Sequence, residues 1–175
     1  MAARLGSVFW GLLLAYLDLR IDDLDLLPDG LGYFLVVLGC VGMHRASARF
    51  SFAGLLAFLL IGVWFVSWYV TESVALELVE TILDCALLWN LMGGIMELAL
   101  RRNRPDLSAI AERRRVHYVG VQAVLLALSV IAGVSGGFPG LDLLAVSAVL
   151  ASLTILFLVL QVIYRMQNEL QAQPA

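Results

Sequence analysis

Three acids that share one helix face in an apolar run are the residues of this 175-residue chain best suited to chemistry. Glu77, Glu80 and Asp84 are spaced i, i+3 and i+7, within roughly 60° of one another on a helix. Asp84 would lie about 9 to 13 Å inside the outer end of that helix. So deep a carboxylate faces the bundle interior, meets a partner or a cation, or stays protonated. We expect Asp84 to be functional; the alternative is a structural acid hydrogen-bonded to Ser, Asn or Trp across the bundle.

A second group of four acids precedes the second apolar run and consists of Asp18, Asp22, Asp25 and Asp29. On a helix their spacing of four, three and four residues would align like charges, which repel. Pro28 also disfavours a helix through the segment, because the residue before a proline leaves the α region. We expect extended or turn structure over 18–25, and a helix that begins at 28–30 with Asp29 near its positive dipole end. The alternative to a binding role is that Asp29 only stabilises the start of the helix and that Asp18, Asp22 and Asp25 are solvated acids of a loop.

Six arginines crowd the segment 101–115, which we predict to be a cytoplasmic connection: Arg101, Arg102, Arg104, Arg113, Arg114 and Arg115. Pro105 and Asp106 predict a helix start for a short amphipathic stretch on the inner leaflet. These arginines are expected to set topology and to contact anionic lipid headgroups, at about 1 kcal/mol each near the surface. The alternative is a docking site for a cytoplasmic partner.

The elements that position these residues follow from composition. The chain is 62% hydrophobic and only 14% charged, so it cannot cover a soluble domain with polar surface. Six apolar runs predict an all-α integral membrane bundle of six transmembrane helices in a single domain, 1–175, with the first two spans short. The predicted spans are about 5–19, 29–43, 51–70, 74–100, 116–135 and 143–164.

The arginines also predict orientation. The chain has 11 basic residues, all of them arginine, and with a cytoplasmic N-terminus only Arg20 falls outside. Six spans then place the C-terminus in the cytoplasm as well. We expect a multi-pass protein of a bacterial cytoplasmic (inner) membrane.

Contacts between helices can be predicted from small and polar residues. Gly11 and Ala15 form a small-xxx-small face in the first span. Gly93 and Gly94 predict a kink or a close helix approach in the fourth. Glu97 is expected to pair with Arg101, one turn later.

Several kinds of chemistry lack a motif in this sequence. No hydrolase, zinc-protease, phosphate-loop or dinucleotide pattern occurs, and a net charge of −3 argues against a nucleic-acid partner. Cys40 and Cys85 lie within spans as small apolar residues, and His44 and His117 lack zinc-ligand spacing. We therefore predict no cofactor and assign no metal ligand, while a divalent cation held by oxygen ligands stays open.

Residues 17–43 resemble a signature of small uncharacterised bacterial multi-spanning membrane proteins. The matching residues are Asp18, Ile21, Asp25, Leu27, Pro28, Asp29, Gly32, Tyr33 and Gly39. The resemblance implies an integral membrane protein and carries no assigned activity. In size and topology the chain also resembles the substrate-binding subunits of energy-coupling-factor transporters, with Gly11 and Ala15 where those proteins carry an Ala-xxx-Ala contact.

These patterns favour a membrane protein that binds or transports a cation, a proton or a cationic solute through an outward-facing acidic site. The acids predicted to form that site are Asp84, Glu80, Glu77, Asp18, Asp22, Asp25 and Asp29. A second hypothesis is a non-catalytic accessory or scaffold subunit that holds a partner through its arginines and small-residue faces. A third is a metal-dependent intramembrane enzyme acting on lipid, placed last because no nucleophile or base signature occurs. Expected partners are the bilayer, anionic lipids, and a second copy or a partner subunit.

Overall fold

The computed structural model describes residues 1–16, 20–21, 24–25, 29–70, 73–135 and 141–172. This part of the chain forms six helices: α1 (Ala2–Tyr16), α2 (Asp29–Val41), α3 (Ala48–Ser67), α4 (Val74–Arg101), α5 (Pro105–Ser135) and α6 (Leu141–Ala172). Two short strands, β1 (Arg20–Ile21) and β2 (Leu24–Asp25), pair antiparallel between α1 and α2. Extended backbone therefore occupies the described part of the segment for which extended or turn structure was predicted.

The helices form a closed ring. Each packs against its neighbours in sequence, and α6 also packs against α1. Gly6, near the start of α1, lies against Gln167, near the end of α6. The start of α1 and the end of α6 therefore lie at the same end of the bundle, which we term the terminal end. At the opposite end, which we term the hairpin end, α1 stops and α2 begins.

Length and hydropathy divide five of the six helices into two classes, and α5, with 31 residues, belongs to neither. Among the described residues, three helices are long and apolar enough to cross a membrane, at Ala48–Ser67, Ala75–Arg101 and Val149–Ala172. Helices α1 and α2 are apolar but have only 15 and 13 residues, or about 22 and 20 Å of length. The prediction of an all-helical protein with two short helices is confirmed, and the described residues contain three candidate spans, fewer than the six predicted.

The connection between α4 and α5 is much shorter than predicted. The α4 helix ends at Arg101, Asn103 adopts a left-handed conformation with φ of 57°, and α5 begins at Pro105. Proline suits the first helical position, because a backbone N–H there would have no hydrogen-bond partner within the helix and proline has no such N–H. The predicted helix start is correct, but the predicted separate amphipathic stretch is wrong. Residues 105–115 belong to the same continuous helix as 116–135, since no residue in this range breaks it.

Helices α1 and α2 are held together by a seam of small residues. A Cβ at Gly32 would lie 2.5 Å from the backbone nitrogen of Ala15 and 2.6 Å from the carbonyl oxygen of Gly11. Only a residue without a side chain fits there, since backbone atoms cannot move aside. The predicted contact face of Gly11 and Ala15 is confirmed, with Gly32 as its counterpart.

Candidate functional site

Asp84 lies in the interior of the ring on the side of α4 that faces α1 and α5. Its residue is 7% exposed. One carboxylate oxygen, Oδ1, accepts a hydrogen bond from the Tyr16 hydroxyl, and the other, Oδ2, accepts one from the Tyr118 hydroxyl. A buried carboxylate needs such donors. Burying a neutral polar group without a hydrogen-bond partner costs about 1 to 3 kcal/mol, and burying a charged group without one costs more.

The two tyrosines come from helices that both pack against α6 but are not neighbours of each other in the ring. Tyr16 is the last residue of α1, and the seam with α2 holds that end of α1 in place. Tyr118 lies on α5 and is only 1% exposed. The two hydroxyl oxygens are 3.0 Å apart, so Asp84 and both tyrosines form one closed cluster, which we term the Asp84 triangle.

The triangle continues toward α6 through amide and hydroxyl groups. Gln122 Nε2 donates to the Tyr118 hydroxyl oxygen at 3.0 Å and to Ser152 Oγ at 3.4 Å. Gln122 lies one turn after Tyr118, so both side chains project from the same face of α5. The contact with Ser152 links α6 to the triangle.

A cavity of about 170 Å³ opens beside Asp84 toward the hairpin end of the bundle. It is lined by residues of α1, α2, α4 and α5: Ala15, Tyr16, Asp29, Tyr33, Glu80, Thr81, Asp84 and Gln122. Three of these residues are acids and two are tyrosines. The cavity thus combines negative charge with aromatic rings and hydroxyl groups.

The structure brings together three of the seven acids predicted as a site, Asp29, Glu80 and Asp84. Glu77 is exposed and does not line the cavity. Of Asp25 only the backbone in β2 is described. Asp18 and Asp22 lie outside the described residues.

Sequence reasoning missed the partners of Asp84. It proposed Ser, Asn or Trp, whereas the structure has two tyrosines and, one step further, Gln122. One signal was available, because Tyr118 and Gln122 are polar residues four apart at the start of an apolar run and must share a face.

The described residues contain no group of three or more His, Cys, Asp or Glu side chains arranged to hold a metal ion. Asp29, Glu80 and Asp84 line one cavity without converging on one point. An all-oxygen site for Ca²⁺ or Mg²⁺ needs six or more oxygen ligands at about 2.0 to 2.6 Å. The three acids of the cavity do not form such a cage.

The arginines near the α4–α5 turn have varied surroundings. Arg104 binds both carboxylate oxygens of Asp106, each at 3.0 Å, and also pairs with Glu169 of α6. These bonds with Arg104 hold the pKa of the Asp106 carboxyl below its usual range. Arg101 ends α4 and is exposed, and Arg102 follows it as the C-cap residue.

The second arginine cluster lies well inside α5. Arg113 is exposed, Arg114 is half-buried, and the Arg115 side chain is 14% exposed. The Arg115 guanidinium stacks over the Trp89 ring, 4.2 Å from its centroid, and lies 3.8 Å from Glu112. These three arginines therefore do not lie in a loop, and the α4 helix runs alongside them.

Glu97 has a different partner from the one predicted. Its carboxylate accepts a hydrogen bond from Arg49 Nε of α3 at 2.8 Å, so the ion pair joins two helices, whereas Arg101 would have kept it within α4. Gly93 makes room for this arginine, since a Cβ there would lie 2.6 Å from Arg49 Nη1. The space at Gly93 and Gly94, where a kink or a close helix approach was predicted, is filled by the Arg49 and Phe50 side chains of α3.

Comparison of the chain with protein-family models, with curated proteins and with solved structures finds no match. The signature in residues 17–43 therefore stays a prediction.

Proposed function

We propose that this chain is a membrane protein that binds a small ammonium-type cation in the cavity beside Asp84. The observation that carries the proposal is a carboxylate that is 7% exposed, hydrogen-bonded by two hydroxyl groups, and open to a cavity with two further acids. Hydroxyl donors stabilise the carboxylate without neutralising it. A cation that enters the cavity therefore meets an uncompensated negative charge.

The membrane setting is supported by the surface of the bundle. Large apolar side chains are exposed on all three long apolar helices, among them Phe58, Ile82 and Phe157 at 60% or more. An exposed apolar surface of this kind suits lipid rather than water. We propose six membrane-crossing helices, with the short α1 and α2 accommodated by local thinning of the bilayer.

We propose the orientation that the arginines predict. With the terminal end in the cytoplasm, the arginines near the start of α1, the end of α4 and the start of α5 lie on the inner side, and Arg113, Arg114 and Arg115 lie further along α5. The cavity at the hairpin end then opens to the outside of a bacterial cytoplasmic membrane. Acids at its mouth would raise the local concentration of cations before they reach Asp84.

An ammonium-type cation suits the cavity better than a bare metal ion. Its N–H groups can donate to carboxylates that are spread around a cavity, whereas a divalent metal needs oxygens that converge. Tyr16 and Tyr33 also line the cavity, and aromatic faces attract ammonium groups. Its volume of about 170 Å³ is below the usual range of about 300 to 1,000 Å³ for drug-sized ligands. The proposed ligand is therefore a small amine.

The test is calorimetric titration of the detergent-purified full chain with methylammonium, tetramethylammonium, sodium, potassium, calcium and magnesium chlorides. Leaving a buried cation partner unpaired costs about 3 to 5 kcal/mol, so Asp84→Asn should weaken methylammonium binding at least about 100-fold. The matched control is Glu77→Gln, which removes an exposed acid of the same helix that lies outside the cavity.

Binding that persists in a folded Asp84→Asn variant would overturn the site. Failure of the folded wild-type protein to bind methylammonium would overturn the function, even if it bound one of the metal cations. Thermal stability and circular dichroism of each variant establish that it is folded.

A further inference from the structure

The three oxygen groups of the Asp84 triangle touch one another in pairs. Tyr16 and Tyr118 each donate to a different oxygen of Asp84, and their own oxygens are 3.0 Å apart. The cluster thus has three oxygen-to-oxygen contacts. Each contact is favourable only when a hydrogen lies between the two oxygens.

An ionised Asp84 leaves one of these contacts without a hydrogen. The two tyrosines bring two hydroxyl hydrogens, and both point to the carboxylate. Gln122 donates to the Tyr118 oxygen but not to the contact between the tyrosines. The hydroxyl oxygens of Tyr16 and Tyr118 therefore lie 3.0 Å apart with no hydrogen between them.

A protonated Asp84 completes the triangle without movement of any heavy atom. Oδ1–H donates to Tyr16, Tyr16 donates to Tyr118, and Tyr118 donates to Oδ2, so that three hydrogens serve three contacts. The Tyr118 oxygen then accepts from Tyr16 and from Gln122, which matches the two lone pairs of a hydroxyl oxygen. The same geometry therefore accommodates both protonation states.

We propose that the Asp84 triangle exchanges one proton for one bound cation, so that uptake of the amine releases the carboxyl proton. This inference rests on the proposed function. In the exchange the Asp84 O–H bond breaks, its electron pair stays on the carboxylate, and the proton passes to water in the cavity. The cation stabilises the carboxylate and the proton competes with it, so each lowers the affinity for the other by the same factor.

Other groups near Asp84 must be distinguished from it. Glu80 and Cys85 lie on its own helix, Asp29 and Tyr33 on α2, Tyr16 on α1 and Tyr118 on α5. The one titratable residue of α3, Arg49, binds Glu97 instead. From α6, Ser152 contacts Gln122 and does not titrate. Glu80 and Asp29 are thus the other carboxyl groups of the cavity whose protons could be released.

The experiment measures proton release during methylammonium binding by the full chain, from binding enthalpies in buffers with different ionisation enthalpies. Well below the pH at which Asp84 titrates, we expect the release to approach one proton per cation, and well above that pH we expect no release. In the lower range the apparent dissociation constant for methylammonium should rise tenfold for each pH unit by which the pH falls. Glu80→Gln and Asp29→Asn should retain the release, although their affinity falls.

A variant pair tests the triangle itself. Tyr118→Phe removes two of the three contacts, so the midpoint of the pH profile should move, whereas Tyr164→Phe, an exposed tyrosine of α6, should leave it in place. A second readout is the infrared carboxyl band of the ligand-free protein, which should grow on acidification in wild type and lack one component in Asp84→Asn.

The outcomes separate the two proposals. Methylammonium binding with no proton release at any pH would overturn the exchange and leave the proposed function intact. Release that disappears in Glu80→Gln or Asp29→Asn would assign the proton to that acid and overturn the role of Asp84. Absence of methylammonium binding at every pH would overturn both proposals.

Discussion

Two acids of the same helix, Asp84 and Glu97, have opposite surroundings. Asp84 lies among hydroxyl groups with 7% of its residue exposed. Glu97 lies near the terminal end with 42% of its side chain exposed and is paired with Arg49. A carboxylate with a permanent cationic partner has its charge neutralised, while one held by neutral donors does not. Under the proposed function, the partner, rather than the acid itself, distinguishes a binding group from a structural one.

The largest expected effect comes from the seam that places Tyr16 beside Asp84. Gly32→Ala puts a Cβ 2.5 Å from the backbone of Ala15, which forces α1 and α2 apart. We expect a loss of about 3 kcal/mol in unfolding free energy, measured by denaturant titration in detergent micelles. Gly62→Ala is the control, since a Cβ at Gly62 meets no atom within 4 Å. Equal stability of the two variants would contradict the close packing.

A smaller effect is expected when one donor is removed from Asp84. Tyr16→Phe deletes the hydrogen bond to Oδ1 and keeps the ring. Hydrogen bonds to charged groups contribute about 1.5 to 3 kcal/mol, so we expect a loss of about 2 kcal/mol in unfolding free energy and weaker methylammonium binding. Tyr69→Phe, at a tyrosine that is 87% exposed, should change neither quantity. A neutral result for Tyr16→Phe would remove this tyrosine from the site.

The Glu97 pair should contribute less than the Asp84 contacts. Both side chains are more than 40% exposed, and exposed ion pairs contribute about 0 to 1 kcal/mol. Arg49→Gln should therefore lower the unfolding free energy by less than about 1 kcal/mol and leave cation binding unchanged. A double-mutant cycle with Glu97→Gln measures the coupling, which should shrink in high salt. A coupling as large as the Tyr16 effect would refute the contrast between the two acids.

The smallest effect concerns the exposed pair at the α4–α5 turn. Arg104 holds the pKa of Asp106 below its usual range, so the pair contributes stability above the ordinary pKa of an aspartate and loses it as the pH falls through the lowered one. In Arg104→Gln the Asp106 pKa should rise toward its ordinary value, and the acid dependence of stability should weaken. Carbon-detected NMR titration of the carboxyl group measures this shift. An unchanged Asp106 pKa in this variant would show that the position of Asp106 at the helix start, rather than Arg104, lowers the pKa.

Much of the helical architecture was predictable from local pattern. Apolar runs located all six helices, Pro105 marked the start of α5, and the pair Gly11 and Ala15 located the seam with α2. The length of the α4–α5 connection was not predictable from hydropathy. Polar residues 105–115 continue a helix as readily as they form a loop, because arginine, alanine and glutamate are strong helix formers. The turn is instead made at Asn103 by its left-handed backbone.

The sequence by itself determined that Asp84 lies deep in an apolar helix on one face with Glu80, because helical periodicity depends only on spacing along the chain. Only the tertiary structure decided that Tyr16 and Tyr118 are the partners of Asp84, and that Arg49 rather than Arg101 binds Glu97. Periodicity states which way a side chain points from its own helix, but not which helix it meets there. In a closed ring that depends on the order and tilt of the helices and on close seams such as the one at Gly32, which arise from contacts between residues distant in sequence.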